Sequence, residues 1–436
     1  MRYTTHSVMR FMRHARTFPG MTQPDTSYFR KGFGLKAEVA ATLDADYAGR
    51  IVDLLRERDF ALTAGDVTVR LAREFGFCYG VERAVEYAYQ TRRKFPARRI
   101  WLVGEIIHNP HVNSKLREMG VQFLEPRPQV AGEPAFDYAA VAPEDVVILP
   151  AFGVTIHDFQ TLREKGCVVV DTTCGSVLNV WKRVEAYARD GFTALIHGKH
   201  YHEETRATAS QVQKHAGGHW LVVRDMGEAQ DVMAYLDGLA RGDGDREAAR
   251  AAFLEKYARC VSPGFDPDVH LRRLGVANQT TMLARESLAI GEAVGRAMAA
   301  AFGEDYAAAN FRTFDTICSA TQERQDAVNE LLREPLDVML VVGGYNSSNT
   351  MSLAALCAER VPTYHVEDPE AIDVASGRVR FRPAGKHHAE AVKDGWLPAG
   401  PVRVGITAGA STPNNKIGDA VARVFATRGI DPALVG

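Results

Sequence analysis

The chain has 436 residues, of which 46 % are hydrophobic and 24 % are charged, and its formal net charge at pH 7 is −2. This length predicts two or three domains, because single cores stop growing at roughly 250–300 residues. The near-neutral charge excludes a nucleic-acid footprint and a polybasic membrane signal, and no apolar run is long enough to span a bilayer.

Apolar runs of strand length alternate with helical patterns from about residue 67 onward. The predicted strands are Val67–Ala72, Ile100–Ile107, Val146–Pro150, Val168–Asp171, Ala194–Gly198, Trp220–Val223, Leu274–Ala277, Val338–Gly343 and Val402–Thr407. The predicted helices include Val81–Arg92, Ser176–Arg189, Ser287–Phe302 and Gln322–Leu332. This alternation indicates βαβ units with mainly parallel sheets. The polar segment Arg241–Ala249 is expected to be a surface excursion.

A strand, a cysteine and a helix follow one another three times in the chain. The copies are VTVRLAREFGFC before YGVERAVEYAY, VVVDTTC before GSVLNVWKRVEAYA, and FDTIC before SATQERQDAVNELL. Their unequal spacing excludes a solenoid repeat and indicates three α/β domains that each deliver one thiol to a shared centre. We predict an N-terminal arm over 1–66 and domains over 67–171, 172–312 and 313–436, which carry Cys78, Cys174 and Cys318 respectively.

The sequence has six cysteines and no secretory signal. Such a chain is expected to keep reduced thiols in the cytoplasm rather than to form a disulfide framework. Cys78, Cys174 and Cys318 each lie at a strand-to-helix turn, the edge of an open α/β sheet where ligands bind. A helix N-terminus at that point is expected to lower the pKa of the thiol and to favour the thiolate that binds metal.

The other cysteines are interpreted as buried or incidental. Cys167 begins a predicted strand, Cys260 lies in a predicted polar helix, and Cys357 lies in an apolar stripe. The spacing of the three turn cysteines matches no compact zinc or ferredoxin pattern. Three thiolates would leave one iron of a four-iron cluster open, where a substrate oxygen could bind.

Five polar motifs follow strands at the same predicted sheet edge. They are His108-Asn109-Pro110, His202-Glu203-Glu204-Thr205, Gln279-Thr280-Thr281, Asn346-Ser347-Ser348-Asn349 and Ala410-Ser411-Thr412-Pro413. Each motif alone is typical of a helix cap, but five at one edge favour a shared site for a phosphate group. Gly343, Gly344 and Gly409 would let the backbone approach such an anion. Glu204 is either a solvated first-turn acid or a general acid for a leaving hydroxyl.

Other functions are open at this point. His197, His200 and His202 crowd one strand end and could hold zinc in a hydrolase with Glu204. That protein would be colourless and would have no use for three separated cysteines. A non-catalytic cluster protein would not need five phosphate-binding turns, and an iron–sulfur dehydratase acting on another diphosphate would work without a reductant.

The motifs together resemble one enzyme family. The stretches GFCYGVERAV, EIIHNPHVN, DTTCGSV, HGKHYHEETRATA, ANQTTML, DTICSATQERQDAV, VVGGYNSSNT and GITAGASTPNN span about residues 67 to 426. They are similar to 4-hydroxy-3-methylbut-2-enyl diphosphate reductase, the last enzyme of the non-mevalonate isoprenoid pathway. RKGFGLK, LPAFG and SPGFDPD resemble its plant and cyanobacterial branch. The resemblance implies a trefoil of three α/β domains around a central iron–sulfur cluster.

The resemblance also implies roles for individual residues. Cys78, Cys174 and Cys318 would hold one [4Fe–4S] cluster with one open iron site, and Glu204 would be the proton donor, helped by Thr280. The implied substrate ligands are His108, His202, Thr280, Thr281, Thr321, Ser347, Ser348, Asn349 and Ser411. The bacterial branch has a further diphosphate histidine where this chain has Phe152, so that role is not carried over. His157, Lys199 or water could supply the lost donor, and Asn414, which replaces a common acid, is assigned no consequence.

The implied reaction removes a hydroxyl group with two electrons and two protons, giving isopentenyl and dimethylallyl diphosphates. Because no flavin or nicotinamide fingerprint is present, the resemblance implies ferredoxin or flavodoxin as the electron donor, and its plant branch implies a homodimer. The first twenty-four residues are rich in arginine and contain no acid. They lack an apolar core and a clear cleavage site, and only about thirty residues precede RKGFGLK, so we expect a flexible tail on a cytoplasmic enzyme.

Overall fold

The computed structural model describes residues 27–431, except for 129, 131, 132, 243, 315 and 386–388. The predicted N-terminal tail therefore lies outside the described residues. No helix in the described part of the chain has both the length and the apolar character needed to cross a membrane.

All nine predicted strands are confirmed, and each begins within one residue of its predicted start. The strands of the described residues are β1 (Tyr28–Phe29), β2 (Ala61–Ala64), β3 (Val67–Leu71), β4 (Ile100–Val103), β5 (Val121–Leu124), β6 (Val146–Leu149), β7 (Val168–Asp171), β8 (Thr193–His197), β9 (Trp220–Val223), β10 (Leu274–Asn278), β11 (Phe311–Thr313), β12 (Val338–Val342), β13 (Thr363–Val366), β14 (Ile372–Asp373), β15 (Arg378–Phe381), β16 (Ala391–Asp394) and β17 (Val402–Ala408). β4 ends earlier than predicted because Gly104 has a left-handed backbone with φ of 64°.

The predicted helices are also confirmed, as α3, α6, α11 and α13. The α-helices of the described residues are α1 (Lys36–Tyr47), α2 (Arg50–Glu57), α3 (Tyr79–Lys94), α4 (Pro110–Glu118), α5 (Ile156–Lys165), α6 (Gly175–Arg189), α7 (Glu203–Gln211), α8 (Met226–Arg241), α9 (Arg246–Lys256), α10 (Pro267–His270), α11 (Ala284–Phe302), α12 (Glu304–Asn310), α13 (Ser319–Leu331), α14 (Ser348–Ala358) and α15 (Asn414–Ala426). The surface excursion expected over Arg241–Ala249 is shorter than predicted, because Asp245 accepts a 3.0 Å hydrogen bond from the Ala248 N–H and starts α9. The prediction that Cys260 lies in a helix is wrong, since it lies in the turn after α9.

Three α/β sheets form the framework, and their strands are mainly parallel, as predicted. The first sheet has the order β1-β7-β6-β4-β5 and the second has the order β11-β10-β8-β9, and both are parallel throughout. The third has the order β13-β12-β17-β3-β2, in which only the edge strand β2 is antiparallel. A small antiparallel sheet, β14-β15-β16, lies beside it in sequence.

The sheets divide the chain differently from the predicted domain boundaries. β3, expected to begin the first domain, pairs with β17, with Val67 opposite Val402. The expected arm over 1–66 contributes β1 to the first sheet, with Tyr28 opposite Val169, and β2 to the third. The sequence interpretation assumed that strands close in the chain share a sheet, whereas a parallel partner can come from any distance along the chain.

Helices cover both faces of the third sheet. On one face, Leu55 of α2 and Val421 of α15 belong to the same buried cluster as Val404 of β17. On the other, Val328 of α13 and Leu353 of α14 cluster with strand residues of β12. Strands that are buried on both faces are continuous apolar runs in the sequence, which explains why these strands were predicted correctly. The carboxyl ends of such strands form the edge at which a ligand can bind.

Candidate active site

Each turn cysteine lies directly before a helix and is held by the end of a different sheet. Cys78 precedes α3, Cys174 precedes α6, and Cys318 precedes α13. Their backbone N–H groups donate to carbonyl oxygens just beyond β17, β6 and β10: Cys78 to Ala410 at 3.2 Å, Cys174 to Ala151 at 2.7 Å, and Cys318 to Thr280 at 3.4 Å. The three sheets therefore deliver one thiol each to a common region.

The thiols of Cys78 and Cys174 meet beside Gly80. A Cβ at Gly80 would lie 2.5 Å from Sγ of Cys174 and 3.9 Å from Sγ of Cys78, so any other residue would fill the space between them. Cys318 lies close enough for charge on Cys78 to raise its pKa. The structure thus brings together the three cysteines that the sequence singled out.

Burial controls the pKa of two of these thiols. Burial raises the pKa of Cys78, and the N–H groups of Val81 and Gly80 and the charge of Arg324 lower it by less. Burial likewise raises the pKa of Cys318 to about 11. The expectation of a lowered pKa is wrong for these two, because desolvation disfavours their thiolates more than the helix ends favour them. A coordinated metal would reverse this balance, since it deprotonates a ligand thiol.

The other cysteines have packing roles, as expected. Cys167 is 2 % exposed in the core of the first sheet, and Cys357 is fully buried among apolar residues of α13 and α14. Cys260 is partly buried against the cores of the second sheet.

A buried arginine fixes the loop before Cys78 to the helix that begins at Cys318. Arg324 on α13 is 3 % exposed. Its Nη2 donates to the carbonyl oxygens of Gly76 at 2.7 Å and Phe77 at 3.2 Å. The sequence interpretation missed Arg324, because an arginine within a polar helix reads as solvent-exposed. The signal available was its position six residues after a candidate ligand.

Glu204 is a buried acid on the first turn of α7, with 3 % of its surface exposed. Its Oε1 accepts a 2.6 Å hydrogen bond from the Thr280 N–H, and its own N–H donates to Nδ1 of His202 at 3.1 Å. Burial raises the pKa of Glu204 to about 7, while the hydrogen bonds from Thr280 and the charge of His108 lower it by less. The alternative of a solvated acid is therefore wrong. A carboxyl group with a near-neutral pKa can donate a proton at pH 7.

His108 and His202 lie edge to face, with ring centroids 5.1 Å apart. Phe152 stacks on His108 at 4.7 Å with an interplanar angle of 14°, and its ring lies 6.2 Å from that of His202. Phe152 therefore lies against both imidazole rings, and its side chain has no hydrogen-bond donor. Nδ1 of His108 pairs with Glu105 at 2.9 Å, and its buried Nε2 lies 3.5 Å from the Glu203 carboxylate.

The pKa values of the two imidazoles are shifted in opposite directions. Burial lowers the pKa of His108, but the carboxylates of Glu105, Glu203 and Glu204 outweigh burial and leave this pKa raised. Burial and the charges of His108 and Lys199 hold the pKa of His202 well below its usual range. The surroundings therefore favour the cationic form of His108 and the neutral form of His202.

The predicted zinc ligands do not assemble. Nδ1 of His197 is bonded to Oγ of Ser287 at 2.8 Å inside the core, and the ring of His200 lies against Tyr201. His202 instead groups with His108 and Glu203, and the ligand atoms of these three residues lie within 4.8 Å of one another, close enough to hold one metal ion. The zinc hydrolase of the sequence analysis thus lacks its ligand set.

Three loops meet closely beside His108. A Cβ at Gly344 would lie 2.4 Å from the His108 carbonyl oxygen, which explains the glycine there. Oγ of Ser411 donates to the same carbonyl oxygen at 3.2 Å. Oδ1 of Asn349 accepts a 2.9 Å hydrogen bond from the Ala410 N–H. The motifs that follow β4, β12 and β17 therefore form one surface, here called the anion cradle (His108, Ser347, Ser348, Asn349 and Ser411).

The anion cradle contains a buried donor that lacks a partner. Nδ2 of Asn349 is buried and has no hydrogen-bond partner among the described residues, and Nε2 of His108 has only the Glu203 carboxylate nearby, at 3.5 Å. Ser347 caps α14 by accepting from the Thr350 N–H at 3.3 Å, so the first N–H groups of this helix point at the same place. Unpaired buried donors are costly, and an anion at this helix end would satisfy them.

The two candidate replacements for the donor lost at Phe152 have different positions. Nε2 of His157 is bonded to Gln213 at 3.0 Å, on an exposed surface. Nζ of Lys199 instead donates to Oγ of Ser348 at 3.1 Å, inside the anion cradle.

Thr321 and Thr281 lie in different parts of the site, the first beside a thiol and the second beside α14. The hydroxyl of Thr321 contacts Sγ of Cys318 at 3.0 Å and is therefore a partner of the thiol. The hydroxyl of Thr281 accepts from Nε2 of Gln279 at 2.8 Å, and its carbonyl accepts from Ser352 on α14 at 3.3 Å.

The fold and the site define a class of protein: an α/β enzyme whose three sheets bring three thiols, a buried acid and the anion cradle together. The chain belongs to the LytB protein family, whose model matches residues 69–425. This confirms the family predicted from the motifs.

The relatives agree over nearly the whole chain. The 4-hydroxy-3-methylbut-2-enyl diphosphate reductase of Thermosynechococcus vestitus is 45 % identical, over 95 % of this chain and 98 % of its own length. The enzyme of the same name from Gloeobacter violaceus is 46 % identical, over 93 % of each chain. The structure of the E-1-hydroxy-2-methyl-but-2-enyl-4-diphosphate reductase from Plasmodium falciparum has a similar fold, with a TM-score of 0.57, 21 % identity and coverage of 82 % of this chain and 87 % of that one.

Proposed function

We propose that this protein reduces (E)-4-hydroxy-3-methylbut-2-enyl diphosphate to isopentenyl and dimethylallyl diphosphates, the last step of the non-mevalonate isoprenoid pathway. The observation that carries this proposal is the convergence of three thiols, the buried acid Glu204 and the anion cradle. Near-full-length relatives that bear the name of this reductase support it.

Reductases of this family use an iron–sulfur cluster. We infer that Cys78, Cys174 and Cys318 hold one [4Fe–4S] cluster and leave one iron open. The donor set supports this inference, because thiolates are the usual ligands of such clusters. The space kept free by Gly80 between two of the thiols supports it as well. When bound, the cluster supplies electrons and a Lewis-acidic iron for the substrate hydroxyl.

The anion cradle would hold the diphosphate. Its helix N-terminus and hydroxyl groups suit phosphate oxygens, and His108, with its raised pKa, adds positive charge. The neutral His202 can donate one hydrogen bond, because its Nδ1 already accepts from the Glu204 N–H. Anchoring the diphosphate here would orient the hydroxymethyl end of the substrate towards the thiols.

Glu204 would supply a proton to the leaving hydroxyl. The reaction consumes two electrons and two protons: the C–O bond breaks, the hydroxyl leaves as water, and the allylic carbon skeleton takes the second proton at either end. The buried carboxyl with a pKa of about 7 is suited to the first proton transfer. Thr280 orients it through a 2.6 Å hydrogen bond. Phe152, which is 8 % exposed, helps to exclude water from the imidazoles.

The electrons must come from a separate donor, for which we propose ferredoxin or flavodoxin. The same resemblance leads us to propose a homodimer in the cytoplasm. Chemical reductants replace the donor in the test below, so the test does not depend on its identity.

The proposed function is tested on protein purified without oxygen. We expect a brown protein with about four irons per chain that consumes the substrate only when reduced viologen is present. Cys78→Ser should lose the cluster. A protein that remains colourless and inactive after anaerobic reconstitution would contradict the proposal, and activity without reductant would indicate a dehydratase instead.

A further inference from the structure

Lys199 is a partly buried cation at the edge of the anion cradle. Its Nζ donates to Oγ of Ser348 at 3.1 Å and lies 3.5 Å from Sδ of Met351. Its charge helps to lower the pKa of His202, so the amine lies within electrostatic reach of both sides of the cradle. The backbone of Lys199 is itself fixed, because its N–H donates to Oε1 of Gln279 at 3.2 Å.

The ammonium group has no counter-charge. Among the residues that the structure describes, none forms an ion pair with Lys199, and burial lowers its pKa to about 8. Glu286 lines the same cavity, but its Oε1 accepts a hydrogen bond from the Met226 N–H at 3.3 Å. A partly buried ammonium without an ionic partner is unfavourable, so its position beside the unpaired donor of Asn349 points to an anion that binds there.

We propose that Lys199 is a direct ligand of the substrate diphosphate and acts together with Ser348 at the N-terminus of α14. The inference rests on the proposed function for the identity of the substrate. An ammonium group has three donors, of which one is used on Ser348 and one faces only a weakly accepting thioether. The third N–H donor is available to phosphate oxygens, which lysine binds as a compact point charge.

Lys199 also supplies a cation to the cradle, whereas Phe152 has neither a charge nor a hydrogen-bond donor. Phe152 covers one face of His108, and His202 is neutral. Lys199, which contacts Ser348 directly, and His108, whose pKa is raised, are therefore two sources of positive charge for the cradle. A structural role is the alternative, in which Lys199 only orients the Ser348 hydroxyl.

The test measures the binding of inorganic diphosphate to the cluster-loaded enzyme by calorimetry, together with substrate KM and kcat. Lys199→Met keeps the length of the side chain and removes its charge. We expect affinity for inorganic diphosphate to fall about tenfold to a hundredfold, the usual effect of losing a charged hydrogen bond. KM should rise more than kcat falls, and Lys199→Arg should recover part of the affinity. Lys256→Met, which removes a surface lysine paired with Asp231, is the matched control and should bind like the parent.

A double-mutant comparison separates direct from indirect action. In a Ser348→Ala background, Lys199→Met should still weaken diphosphate binding if the ammonium contacts the anion. If that loss disappears, Lys199 only positions Ser348 and the proposal is overturned. Iron content and melting temperature are measured on every variant, and Lys199→Gln gives the same comparison if the methionine variant does not fold.

The outcome also distinguishes this inference from the proposed reaction. Normal turnover with diphosphate binding that does not depend on Lys199 would overturn this inference alone. Lys199-dependent diphosphate binding without turnover would support the anion ligand and contradict the proposed reaction. A parent protein that neither binds inorganic diphosphate nor turns over the substrate would overturn both.

Discussion

The backbone of Thr280 joins Glu204 to Cys318. Its N–H donates to Oε1 of Glu204 at 2.6 Å, and its carbonyl oxygen accepts from the Cys318 N–H at 3.4 Å. The loop after β10 therefore fixes the proposed acid and one proposed cluster ligand through backbone atoms. Because the side chain is not needed for these bonds, the spacing between acid and thiol depends on the fold rather than on the Thr280 hydroxyl.

Glu204→Gln should stop turnover without removing the cluster. Glutamine keeps the shape of the side chain but cannot donate an acidic proton, so we expect kcat to fall by roughly a hundredfold or more. Iron content and the visible spectrum should match those of the parent. In the parent, activity should decline as the pH rises through about 7, because the carboxyl group deprotonates there. Full activity of the variant, or a parent rate that rises across this range, would exclude Glu204 as the acid.

Gly80→Ala should prevent cluster binding while the protein still folds. The added Cβ would lie 2.5 Å from Sγ of Cys174, in the space between two proposed ligands. We expect little iron per chain after reconstitution and an apo-protein that melts near the temperature of the parent apo-protein. Gly175→Ala is the matched control, because this glycine directly follows Cys174 and its Cβ would have no neighbour within 4 Å. A full complement of iron in Gly80→Ala would show that the cluster does not lie between these thiols.

The sequence predicted the strands because burial on both faces leaves uninterrupted apolar runs, as in β6 and β12. It predicted the cysteines because each one lies at the end of a strand. It did not predict the pairing of β3 with β17, since the register of Val67 with Val402 depends on tertiary contacts. The burial of Arg324 and the partial burial of Lys199 were not predicted for the same reason, because long cations usually lie at the surface and only the folded structure shows their surroundings.

Arg324→Met should destabilise the protein and weaken cluster binding together. The substitution removes the donors of the Gly76 and Phe77 carbonyl oxygens, which lie just before Cys78. Leaving buried acceptors unpaired costs about 1–3 kcal/mol, so the free energy of unfolding measured in urea should fall by that amount. Arg296→Met on the exposed face of α11 should change it by less than about 0.5 kcal/mol. Equal effects of the two substitutions would show that Arg324 does not hold the loop.

Acid should destabilise the apo-protein through two buried histidines outside the proposed binding residues. Burial lowers the pKa of His197 and of His365 to about 4 in the folded protein. Both imidazoles therefore stay neutral when folded, whereas the unfolded chain takes up protons below its usual pKa of about 6.5. The stability that these two neutral, buried histidines contribute is fully present above the pKa of the unfolded chain, and it is lost as the pH falls towards 4.

At pH 5 each histidine should cost roughly 2 kcal/mol relative to neutral pH. Urea unfolding at pH 7 and pH 5 measures this loss. His365→Gln should reduce the pH dependence, even if it lowers stability at pH 7, because Nε2 of His365 is bonded to the Gly343 carbonyl at 2.8 Å. The same pH dependence in His365→Gln and the parent would assign the acid sensitivity to other groups.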